Sequence, residues 1–146
     1  MSDIKTVYHH SVILNKIKAI YNGDLRRAVQ NALKRKLAFG KNWRKININD
    51  FVAKFTPNPN RENSGNKIYF TGKDKKYRIV ADKTGGYCRL EDYQYYLQTR
   101  KHLYLDIDGN DVKNYKDANG KQHGRKKSDF NKITHFKILH REEMQK

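Results

Sequence analysis

A chain of 146 residues is long enough to bury one core and too short for two ordinary domains. Its 32 Lys and Arg against 15 Asp and Glu give a formal charge of +17, a surplus that calls for a polyanionic partner, with nucleic acid ahead of an anionic membrane or an acidic protein. No apolar run approaches the roughly 20 residues of a membrane span, residues 1–10 lack the pattern of a secretory signal, and the single Cys88 leaves no internal disulfide and no cysteine-rich zinc site.

In chain order, residues 1–11 are expected to be flexible and residues 12–55 helical. Val12, Ile13, Ile17 and Ile20 recur near a 3.6 period until Asn22-Gly23 interrupts them. Asp24 can cap a second helix whose apolar face holds Leu25, Ala28, Val29, Ala32, Leu33 and Leu37. Arg26, Arg27, Lys34, Arg35 and Lys36 crowd the same helix, either as a solvated face or as a phosphate-contacting stripe. Asn49 can cap a third helix over 50–55, which Pro57 and Pro59 would stop.

Beyond a polar loop at 58–66, the pattern over 66–140 is that of a sheet. Strands are expected at 67–70, 77–82 and 87–92, separated by Gly72-Lys73-Asp74-Lys75 and Lys83-Thr84-Gly85-Gly86. Tyr77, Ile79 and Ala81 alternate with Arg78, Val80 and Asp82, which makes one face mostly apolar and the other mixed. Cys88 falls on a strand as a small hydrophobe. A fourth strand at 102–107 ends in Asp108-Gly109-Asn110, a long exposed loop covers 109–131, and a last strand runs over 133–140. Helices followed by strands predict an α+β fold: N-terminal helices packed on a four- to five-stranded antiparallel sheet, in one domain over 1–146.

Charge is spread unevenly. Residues 1–55 carry 12 basic and 3 acidic side chains, 56–112 carry 10 and 8, and 113–146 carry 10 and 4. The two ends hold the surplus, and the middle reads as scaffold.

The loop and last strand hold the residues best suited to chemistry on a phosphodiester. His123, Arg125 and Lys126 lie together, and Thr134 and His135 follow. RNA is cut without a metal when one group takes the 2′-OH proton, another protonates the leaving 5′-oxygen, and cations or donors stabilise the phosphorane; imidazole, guanidinium, ammonium and hydroxyl suit these roles. Against this stand an ordinary loop histidine at 123 and half-buried polar groups at 134 and 135. On a strand, Thr134 and His135 would point to opposite faces. Tyr87, Tyr93, Tyr95, Tyr96 and Tyr104, interleaved with Arg89, Arg100 and Lys101, suit stacking of unpaired bases as well as core packing. Lys127 joins them as a phosphate contact. Asp106, Asp108 and Asp111 miss the spacing of a calcium loop, so a turn is expected there, with no metal and no cofactor.

Helices first, an antiparallel meander, the stretch Lys76-Tyr77-Arg78-Ile79-Val80-Ala81-Asp82 before a Gly turn and Tyr87, then a basic His-containing loop: this order resembles the barnase/EndoU/colicin/RelE group of ribonucleases. Within that group it is most similar to the C-terminal toxin domains of contact-dependent inhibition and other polymorphic toxins. The resemblance implies a metal-independent endoribonuclease that cleaves RNA, tRNA by analogy, to a 2′,3′-cyclic phosphate. It implies release from a larger effector, action in the cytoplasm of a target bacterium, and a monomeric toxin held in a heterodimer by an acidic immunity protein. It places catalysis on His123, Arg125, Lys126, Thr134 and His135; the basic residues Arg26, Arg27, Lys34, Arg35, Lys36, Arg89, Arg100, Lys101 and Lys127 are expected, from charge and neighbouring aromatics, to bind RNA. The alternatives are a non-enzymatic RNA- or DNA-binding module and a metal-dependent nuclease.

Overall fold

The computed structural model describes residues 23–39 and 43–140. The first amphipathic segment, 12–20, and the expected flexible stretch 1–11 lie outside the described residues. Among those residues the fold is α+β, with four helices and a mixed, mostly antiparallel sheet. The elements are α1 (Gly23–Phe39), β1 (Arg44–Asn47), α2 (Ile48–Phe55), β2 (Asn60–Ser64), β3 (Lys67–Thr71), β4 (Tyr77–Asp82), β5 (Tyr87–Asp92), α3 (Tyr93–Thr99), β6 (Tyr104–Leu105), β7 (Asn114–Lys116), β8 (Gln122–Gly124), α4 (Lys127–Thr134) and β9 (Phe136–Leu139).

The main sheet has seven strands, more than the four or five expected. Its order is β1-β9-β5-β4-β3-β2, with β6 also on β5. Two strands have little apolar signal to betray them. Every residue of β2 is exposed, and this strand pairs with β3 in what reads as a polar loop, Arg61 lying over the Phe70 ring at 5.6 Å. β1 buries only Ile46 and runs parallel to β9, so the sheet is mixed rather than purely antiparallel.

Alternation along the strands sorts the two faces. Ile68, Phe70, Ile79, Ala81, Cys88, Leu90, Leu105, Phe136 and Ile138 fill one face, under Ile48, Phe51 and Phe55 of α2. That helix begins at Ile48, because Asn47 rather than Asn49 is the cap: its side chain accepts from the Asp50 N–H at 3.1 Å. Cys88 is fully buried, and burial pushes its thiol well above the usual range.

Among the described residues, α1 covers one end of the second face. There α1 seats Val29, Ala32 and Leu33, and Ala32 packs with Trp43 and Tyr87. The apolar stripe is narrower than its periodicity predicts: Ala28 is exposed and Leu37 is 42 % exposed.

Three further expectations change, and one helix has no sequence signal assigned to it. Tyr93–Thr99 forms α3, capped by the Asp92 carboxylate on the Tyr95 N–H at 3.0 Å. The fourth strand shrinks to Tyr104–Leu105. The long loop contains the β7–β8 hairpin and most of α4. The last strand starts at Phe136, so Thr134 ends a helix and His135 links helix to strand. Asp106 does build a turn, its carboxylate accepting from the N–H groups of Asp108 and Asn110.

Candidate nucleic-acid interface and catalytic cluster

The site lies on the part of the second face beyond α1. Cross-strand neighbours share a face, and the register sets Arg78 opposite Glu91, Val80 opposite Arg89, and Tyr104 opposite Glu91. The outer edge of β5 is divided between two partners. Tyr87 and Cys88 pair with β9, Leu90 and Glu91 with β6, and Arg89 falls between them at a fork in the sheet.

On one side of the fork, Glu91 is fully buried and engages two partners. Arg78 Nε donates to Oε1 at 2.8 Å and its Nη2 lies 2.5 Å from the same oxygen; His102 Nδ1 bonds to Oε2. A carboxylate only accepts, so Nδ1 carries the proton and Nε2 is left toward solvent. The His102 side chain is half exposed. Its ring stacks between Tyr96, at 5.0 Å, and Tyr104, at 5.7 Å, and Tyr93 continues the column at 6.0 Å from Tyr96. Arg78 sits over the rings of Tyr69, Tyr93 and Tyr96 at 5.1, 4.8 and 4.7 Å. The Arg78 cation is thus fixed by rings and a carboxylate together.

Arg89 joins this cluster to the region under α1 and α4. Its guanidinium lies 3.4 Å from the Tyr104 ring centroid, and Nη2 donates to Thr134 Oγ1 at 3.2 Å. Burial, the largest cause, lowers its pKa to about 10, so it stays charged at neutral pH. Thr134 passes its own hydroxyl proton to the Phe130 carbonyl at 2.8 Å, which aims its oxygen at Arg89. Beyond lies a cavity of about 580 Å³ lined by Arg35, Arg89, Lys127, Ser128, Asn131 and His135. His135 is 2 % exposed and stacks on Trp43 at 5.1 Å, with Tyr87 at 5.0 Å. Arg35 Nη1 donates to the Tyr87 hydroxyl at 3.3 Å.

The structure therefore brings together Arg35, Arg89, Lys127, Thr134 and His135 from the expected set. His123 and Arg125 stand apart in their partners. His123 pairs with Asp117 at 2.8 Å and stacks on Tyr115, both in its own hairpin, and that hydrogen bond is the largest cause lowering the Asp117 pKa. Arg125 donates to the Val112 carbonyl at 2.8 Å and lies over Tyr115. Lys126 is the exposed N-cap of α4. Arg27, Lys34, Arg100 and Lys101 are exposed; Arg26 and Lys36 are half-buried. Arg100 takes a left-handed backbone, φ 60°, where it caps α3, and its guanidinium reaches the Tyr96 ring at 5.7 Å.

Glu91, Arg78 and His102 were not among the expected site residues. The hairpin register that places Arg78 on Glu91 is the signal that points to the first two. Among the described residues, no group of three or more His, Cys, Asp and Glu side chains could hold a metal ion, and no helix is long and apolar enough to cross a membrane. No protein-family model, curated protein or solved structure matches this chain.

Proposed function

We propose that this chain is a metal-independent endoribonuclease of the barnase/EndoU/colicin/RelE-like kind, a toxin domain acting on tRNA or a similar RNA and neutralised by an acidic immunity protein. The observation that carries the reading is Glu91, buried at the sheet surface, holding Arg78 with one oxygen and His102 with the other, beside Arg89 and a column of tyrosines. A +17 chain collects RNA electrostatically. Unpaired bases stack on Tyr93, Tyr96 and Tyr104, and Arg78 and Arg89 stabilise charge on the phosphate.

His102 Nε2 takes the proton of the 2′-OH, and Glu91 stabilises the resulting imidazolium through Nδ1–H. The 2′-oxygen attacks phosphorus and the P–O5′ bond breaks, leaving a 2′,3′-cyclic phosphate. The 5′-oxygen takes a proton from water, and the imidazolium neutralises the hydroxide left behind. General base catalysis of this kind is worth roughly 10²- to 10⁴-fold.

The test is incubation of the full chain with total tRNA in EDTA, followed by gel analysis and end-group mapping. Discrete fragments with cyclic phosphate ends are expected; His102→Gln should lose at least about 100-fold, and His123→Ala should stay within about threefold. Loss of cleavage in His123→Ala but not in His102→Gln would return catalysis to the β7–β8 hairpin. The stacked ring column also favours a second reading, a binding module for single-stranded RNA. Uncut RNA in a salt-sensitive complex would establish that reading, and cleavage only on adding Mg²⁺ or Zn²⁺ would establish a metal nuclease.

A further inference from the structure

We propose that the cavity between α1, β5 and α4 is a ribonucleotide subsite, in which Arg35, Arg89, Lys127 and the first turn of α4 hold one backbone phosphate while His135 Nε2 accepts a hydrogen bond from the adjacent ribose 2′-hydroxyl. This deepens the RNA reading and rests on it. The three cations come from three separate parts of the chain, including both of its basic ends, and meet at one wall. None of them has a carboxylate within ion-pair distance among the described residues. The N-cap of α4 is Lys126, which makes no side-chain capping bond, so the opening N–H groups of this eight-residue helix are left for a ligand or water. Asp129 lies in the same first turn, but it is exposed and does not line the cavity.

His135 decides what accompanies the phosphate. Nδ1 is 2.7 Å from the Asn131 carbonyl, and a carbonyl only accepts, so Nδ1 bears the hydrogen and Nε2 presents a bare lone pair. That nitrogen is buried and has no hydrogen-bond partner among the described residues. Burial first, then Arg89 and Arg35, hold the imidazole at about 3, so it stays neutral and accepting at physiological pH. A backbone phosphodiester, with acceptor oxygens only, offers this acceptor nothing. A ribose 2′-hydroxyl next to its 3′-phosphate offers a donor and an anion a few ångströms apart, and DNA lacks that donor. About 580 Å³ is ample for one nucleotide unit. Because Arg89 belongs to both the cavity and the Glu91–His102 strip, the subsite holds a unit next to the one being cut.

The test uses the full chain carrying His102→Gln, in EDTA, with a labelled single-stranded RNA and the DNA of the same sequence. The parent should prefer the RNA. Arg35→Gln and Lys127→Gln should each weaken RNA binding about tenfold and reduce its salt slope by about 0.7. His135→Phe keeps a ring between Trp43 and Tyr87; it should cut the RNA-over-DNA preference about fivefold and leave DNA affinity unchanged. Equal affinity of the parent for both strands, or unchanged RNA binding in the two cation variants, overturns the proposal. Those two measurements decide the matter even where His135→Phe fails to fold. If the wild type leaves RNA uncut while these losses appear, the enzyme reading falls and the subsite stands; cleavage without the losses gives the reverse.

Discussion

Lowering the pH from 6.5 to 5 probes the burial of His135. In the folded chain, burial and then Arg89 and Arg35 press its pKa from 6.5 to about 3; unfolding returns it to the ordinary value. Between those two values the unfolded state binds a proton that the native state refuses, so stability falls as pH falls. The slope from this group is about 1.36 kcal/mol per pH unit. The descent to pH 5 therefore removes about 2 kcal/mol, or roughly 6–8 °C of Tm for a domain of this size. Asp82 works the other way, since burial raises its carboxyl above the ordinary carboxylate value and acidification through that range favours the folded state. Urea unfolding of the wild type and of His135→Phe at several pH values isolates the imidazole, because the other groups are common to both. The gap between their stabilities should change by about 2 kcal/mol from pH 6.5 to pH 5. Parallel curves would show that His135 is protonated in the folded state, and the acceptor assigned to Nε2 would go with it.

Phe136 is fully buried at the fork, packed edge-on against Phe51 at 5.3 Å; Phe136→Ala should cost about 3–5 kcal/mol in chemical denaturation. Cys88, buried with its thiol pushed up, should resist thiol-specific reagents and react only at the rate of unfolding, so fast labelling of native protein would contradict its position. Tyr104→Leu removes the ring that links His102 to Arg89, and RNA binding should weaken about tenfold by fluorescence titration while the urea midpoint moves little.

Strands β4 and β5 match the ranges read from apolar alternation, and their four-residue turn then dictates which residues face one another. The ion pair of Arg78 and Glu91 was thus implicit in the sequence. The near balance of charge in the middle segment hides it by reading as inert scaffold, whereas part of that balance is the ion pair itself. His102 reaches Glu91 only because α3 ends at Arg100 in a left-handed turn and the chain doubles back, and no local pattern announces that return. β1 and β2 escape notice because Ile46 is the one residue they bury between them. Thr134 and His135 were assigned to a strand because Ile133, Phe136 and Ile138 suit one. In the fold Phe130 donates its N–H to the Lys126 carbonyl, and a helix occupies the stretch through Thr134. The sequence offers Arg35, Arg89 and Lys127 each as a candidate contact for phosphate, while their convergence on one cavity depends on β9 threading between β1 and β5.

That threading governs how the molecule can be made. β9 lies between a strand from the first third of the chain and one from its middle, so neither β1 nor the near edge of β5 has its partner until residues 136–139 have left the ribosome. A nascent chain halted before Phe136 holds an open seam and lacks the fully buried Phe136 ring. The residues that line the cationic cavity all precede Phe136, but the strand that follows His135 is not yet there to anchor it. Contacts spanning so much chain form slowly, which delays the finished sheet until synthesis has passed the last strand.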